Sequence, residues 1–208
     1  MTRAADRDES TAGRDAAGQD RDSAREDRDF TGRDFTGRDA AGRDRGAAGR
    51  DRDPAGRPRN ARPRDVLGRP LPRGTAGEPP PEEPALAPAA ALDRAQQLID
   101  SGRAFSAHEV LEAAWKAAPA DERDLWQGLA QVAVGLTHAQ RGNARGAVTL
   151  LRRGGQRVAG YAADPPHGIG AEHVARFAAE LADRIERDGL SPVPTDAELR
   201  VSLSAGGR

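Results

Sequence analysis

The chain has 208 residues, with 32 Lys and Arg set against 33 Asp and Glu, so its formal net charge of -1 gives no global pull toward nucleic acid or membrane. It contains no cysteine, which excludes disulfides and thiolate metal sites. No apolar run approaches the roughly 20 residues of a membrane-spanning helix, and the N-terminus lacks an apolar signal-peptide core, so the expected location is cytoplasmic.

From Met1 to Asp65 there is no Val, Leu, Ile, Trp or Tyr, and the large apolar residues after Met1 are Phe30 and Phe35 alone. Such a segment cannot bury enough surface to offset the roughly 1 to 2 kcal/mol per residue of backbone ordering. Residues 1–65 are therefore expected to be a disordered, low-complexity segment. Within it Gly-Arg-Asp recurs at Gly13, Gly32, Gly37, Gly42 and Gly49, and the stretch from Asp29 to Asp44 repeats every five residues, too short a period for a solenoid unit. Arg is set against Asp almost one for one, which disfavours nucleic-acid binding. Residues 66–88 carry Pro70, Pro72, Pro79, Pro80, Pro81, Pro84 and Pro88, a composition that predicts an extended linker.

Helical periodicity begins near Ala89, leaving residues 89–187 for one small all-α domain and 188–208 as a polar C-terminal tail. Five helices are predicted: Leu92 to Ser101, Ala104 to Ala118 before Pro119, Asp121 to Arg141, a fourth capped by Asn143 and running to about Tyr161, and Ala171 to Arg187. The run from Gly102 to Leu111 aligns with that from Gly142 to Leu151 at a constant offset of forty residues. The expected architecture is thus a five-helix bundle of two tandem helical hairpins plus a C-terminal helix.

Chemistry is concentrated on two of these helices. A helical wheel places His108 and Glu112 of the second helix on the core side with Trp115 and Phe105, and Glu109 and Lys116 just past its edge. The third helix is apolar almost all round except for a strip of Gln127, Gln131 and His138, flanked by Gly128 and Gly135. Turned toward His108 and Glu112, that strip makes a candidate pocket of His108, Glu112, Trp115, Gln127, Gln131 and His138. Mutual satisfaction of buried polar groups accounts for such a cluster. The chemical alternative is a metal held by His108, Glu112 and His138. Trp115 and Trp126 read as core anchors, His173 as a surface residue, His167 as a residue of the Pro-Pro-His-Gly loop near the pocket mouth, and the arginines of the fourth helix as a solvated face.

The His108-Glu109-Val110-Leu111-Glu112 run with Trp115 is followed by Leu125-Trp126-Gln127-Gly128-Leu129-Ala130-Gln131. His138, Arg141-Gly142-Asn143, Gly146-Ala147 and Leu150-Leu151-Arg152-Arg153 come next. Together they resemble the DUF309 family of small α-helical bacterial and archaeal proteins, from about Ala89 to Arg187. Upstream, Arg50 to Asp65 and Leu67-Gly68-Arg69-Pro70-Leu71-Pro72 resemble the leader of its actinobacterial members. The resemblance implies an all-helical fold and makes His108, Glu112, Gln131 and His138 the best matches to the family signature; the family's function is unknown. Two departures, Ser106 where relatives often carry His or Glu, and Gly170 where many have Asp, weaken the case for metal chemistry. The expected function is a non-enzymatic module binding a small ligand or protein, with no cofactor. The alternative is a metal-dependent hydrolase with a divalent ion on His108, Glu112 and His138, and Glu109 or Gln131 positioning water.

Overall fold

The computed structural model describes residues 65, 67–69, 71 and 85–206. The disorder expected of residues 1–65 therefore falls, Asp65 aside, outside the described residues.

Helix α1, Pro88–Asp100, starts a turn earlier than expected because Pro88 occupies the first helical position, where a missing N–H costs nothing. It buries Ala91, Leu92, Ala95, Leu98 and Ile99. Helix α2, Ala104–Ala117, buries Phe105, Ala107, His108, Val110, Leu111, Ala114 and Trp115 among others, and Pro119 prevents its continuation. Helix α3, Arg123–Gln140, is buried without interruption from Leu125 to Ala139, as its all-round apolar pattern requires. Helix α4, Ala144–Ala159, and helix α5, Ala171–Asp188, are amphipathic and each bury one stripe. Each helix packs on the next in the chain, so α3 is central and the bundle is all-α, as predicted.

The forty-residue repeat is realised as one capping motif used twice. At the end of α1, Arg103 N–H donates to Leu98 O at 2.8 Å and Gly102 N–H to Ile99 O at 3.0 Å; at the end of α3, Asn143 N–H donates to His138 O at 2.9 Å and Gly142 N–H to Ala139 O at 3.0 Å. This is the Schellman arrangement, which needs a left-handed residue, and Gly102 and Gly142 supply it at φ of 74° and 75°.

The segment expected to be a polar tail is packed onto the bundle. Leu199, Val201 and Leu203 are buried, with every second side chain pointing inward as in a strand. The main chain is held on one side by Gly170 N–H to Leu203 O at 2.8 Å and Ala205 N–H to Gly168 O at 2.9 Å. On the other, Gln96 of α1 receives Leu203 N–H at 2.8 Å and donates to Val201 O at 3.1 Å. A single residue alternation among Arg, Ser and Glu neighbours is too short to outweigh a polar composition when read as sequence, which is why the expectation failed.

Candidate functional site

His108 is placed by α2 with 6 % of its surface exposed, its Nε2 3.7 Å from Glu112 Oε2. Glu112 sits at the rim rather than inside, its side chain 21 % exposed and its Oε1 2.8 Å from Lys116 Nζ. One carboxylate therefore faces an imidazole inward and an ammonium outward, all from successive turns of one helix. The wheel assigned Glu112 to the core side; the side chain is long enough to carry its charge to the edge, where water and Lys116 solvate it.

The strip on α3 is buried as expected, with Gln127 2 %, Gln131 1 % and His138 7 % exposed. The helix that meets its glycines is α4. A Cβ added to Gly154 would lie 3.0 Å from Gln131 Cβ and 2.7 Å from the Gly128 carbonyl, and one on Gly135 would lie 2.7 Å from Leu151 Cγ. Among the described residues, nothing donates a hydrogen bond to Gln131 Oε1. His138 is tied to the α3–α4 turn, where Asn143 Nδ2 lies 2.9 Å from its Nδ1. Because Asn143 Oδ1 is already the cap acceptor for Gly146 N–H at 3.0 Å, the amide nitrogen is the donor and Nδ1 the acceptor. Among the described residues, no three His, Asp or Glu side chains converge in a way that could hold a metal ion. The trio of His108, Glu112 and His138 thus does not close on one point.

A contact that sequence reading missed lies beside His108. The ring of Phe105, its centre 6.1 Å from that of the His108 ring, also lies against Gly68 in the Asp65–Arg69 turn of the leader. In that turn Asp65 Oδ1 accepts from Leu67 N–H at 3.0 Å and Arg69 N–H at 2.7 Å, while Gly68 N–H donates to Asp65 O at 2.8 Å and Asp65 N–H to Arg69 O at 3.0 Å. Gly68 is buried at φ of 73°, and a Cβ there would fall 2.2 Å from Phe105 Cδ2. Arg141, at the end of α3, clamps the turn: its Nε donates to Leu67 O at 2.8 Å and its Nη2 to the same oxygen, with Cζ 6.0 Å from the Phe105 ring centre. The expected extended linker is therefore a closed, docked turn at its first residues. The signal available in the sequence was Asp65 with Gly68 three residues on, an Asx-turn pattern.

The fourth notable group is also a new placement. His167, at φ of 58°, sets its Nε2 2.7 Å from Glu122 Oε2, the oxygen that also accepts from Trp126 Nε1 at 3.1 Å. Burial works to raise the Glu122 pKa, but the hydrogen bonds from His167 and Trp126 outweigh it and hold the carboxyl below its ordinary value. His167 thus fastens the α4–α5 loop to the start of α3. His173 is exposed.

Taken together, these features define a small all-α domain of tandem hairpins with a polar seam and an edge that holds a peptide turn. Residues 92–150, from α1 to the middle of α4, match the family model DUF309, a domain of unknown function. The matched span includes His108, Glu112, Gln131 and His138. Comparison with curated proteins and with solved structures found no match.

Proposed function

We propose that the domain is a non-enzymatic binding module whose receiving face is built by Phe105 and Arg141, with His108 and Glu112 alongside. The observation that carries this reading is the Asp65–Arg69 turn seated on that face. The face reads a peptide through its backbone: a guanidinium takes one carbonyl with two donors, and an aromatic ring accepts a residue without a Cβ. Two charge-assisted hydrogen bonds to a single oxygen are among the stronger polar contacts available at a surface. The buried strip of Gln127, Gln131 and His138 keeps α3 in register, so that Arg141 stays opposite Phe105.

Hydrogen exchange on the full chain tests the reading. The Leu67 and Arg69 amides should exchange slowly, and Arg141→Ala should speed them about 10- to 100-fold, the equivalent of losing roughly 1.5–3 kcal/mol of charged hydrogen bonding. Amides in the turn that exchange at the unprotected rate in the unaltered chain would sink it.

A further inference from the structure

The bonds that shape and hold the docked turn ask for very little sequence. The first position must be an acceptor that caps the amides of the third and fifth, which Asp65 does. The third gives Arg141 only its carbonyl. The fourth must be Gly, since it adopts φ of 73° and a Cβ there would fall 2.2 Å from Phe105 Cδ2. The second and third side chains enter none of these bonds. The pattern is Asp-x-x-Gly-Arg, and the chain contains it four more times: Asp29-Phe30-Thr31-Gly32-Arg33, Asp34-Phe35-Thr36-Gly37-Arg38, Asp39-Ala40-Ala41-Gly42-Arg43 and Asp53-Pro54-Ala55-Gly56-Arg57. Of the three invariant positions, the Asp and the Gly are those that the turn and the face require, while the fifth gives the turn its backbone amide and carbonyl, and the varied positions contribute no side chain to these bonds. The one proline within these copies stands at the second position, whose amide none of the bonds above uses.

We propose that the Phe105–Arg141 face recognises the Asp-x-x-Gly-Arg pentapeptide as a class, and that its partner is the set of repeats on a second copy of this chain. This rests on the reading of that face as a binding site and names what it binds. Each chain has one such face among its described residues and five pentapeptides in its sequence, so four are in surplus, and three of those follow one another without a spacer. The chain's own turn competes at the high effective concentration of a short tether, on the order of millimolar, so one repeat from another copy displaces it poorly. Several repeats on each copy raise the odds of capture, and the near-zero net charge puts no general repulsion between copies. The outcome is weak self-association that grows with concentration.

The test uses the full chain with Gly32, Gly37, Gly42, Gly56 and Gly68 all changed to Val, which removes every internal competitor; circular dichroism checks that its helices persist. Two labelled peptides are titrated into it by fluorescence anisotropy, one spanning Arg62 to Pro72 and one spanning Arg28 to Arg43. Both should bind, both should lose at least tenfold in affinity when their glycines are Val, and Arg141→Ala in the receptor should have the same effect. If the first binds and the second does not, the repeats are not ligands, although the binding face stands. If neither binds to the folded receptor, the face is not a binding site. Sedimentation velocity of the unaltered chain then decides the partner: the coefficient should rise with concentration, and should stop doing so when Gly32, Gly37, Gly42 and Gly56 are Val and Gly68 is kept. A coefficient that is constant in the unaltered chain overturns the second copy as partner.

Discussion

Asn143 serves two neighbours with one amide, capping α4 through Gly146 N–H and holding His138 Nδ1. Asn143→Ala removes both contacts and is expected to cost about 1–2 kcal/mol in urea denaturation, the upper part of the range for a lost cap. Asn143→Ser keeps the cap acceptor and should recover most of that loss; equal losses would show that the His138 contact, not the cap, dominates. Glu122 offers a different readout, because its pKa is lowered in the folded state. A lowered carboxyl stabilises the fold above its ordinary value of 4.5 and loses that contribution as pH falls through the folded value. Glu122→Gln should therefore weaken the chain at pH 7, with the gap from the unaltered chain closing on acidification below about 4.5. A gap that stays constant down to pH 3 would mean that the bond to His167 carries no stability. Of these residues, the cap was legible because Asn before a helical run is a local signal. The bond between His167 and Glu122 was not, since the two residues are 45 apart in the sequence.

At the scale of elements, helix positions followed from Pro, Gly and apolar spacing, while the pairing of faces did not. A wheel gives the angle of Gln131 and Gly128 on α3 but not the identity of the helix that they meet. Small residues decide this: Gly128 and Gly154 face each other so closely that a Cβ on either falls within 2.9 Å of the opposing carbonyl oxygen. The strip is expected to face α2 from its polar residues, whereas its flanking glycines admit α4. Gly154→Ala is expected to cost about 1–3 kcal/mol or more by overpacking, because backbone rather than a flexible side chain must give way. Gly189, with no neighbouring atom within 4 Å of an added Cβ, is the control for crowding, although its φ of 75° adds local strain of its own. A melting temperature unchanged by Gly154→Ala would show that the two helices can separate at no cost, contrary to the packing described.

At the scale of the whole molecule, two segments outside the helices complete the surface of the bundle from opposite ends of the sequence. The C-terminal segment does so with buried side chains: Leu203 is 1 % exposed, and Leu203→Ala should cost about 2–4 kcal/mol, seen as a fall of roughly 10 °C or more in melting temperature. Neither segment was legible as part of the fold, because each contributes only a few apolar groups within polar sequence and takes its partners from distant helices. The leader turn covers Phe105, which is 7 % exposed beneath it. Two deletions separate composition from docking. Removing residues 1–50 takes away sequence with almost no large apolar side chains and should leave the melting temperature within about 2 °C. Removing residues 1–72 also takes away the turn, uncovers the Phe105 ring and leaves Arg141 without the Leu67 carbonyl. Re-exposing even half of a phenylalanine is worth about 1 kcal/mol, and a domain of this size loses about 4–8 °C for each such unit. Scanning calorimetry should therefore find the second deletion several degrees below the first. Identical melting temperatures would mean that the turn adds nothing to the domain that holds it, and a large fall on the first deletion would place a stabilising contact within residues 1–50.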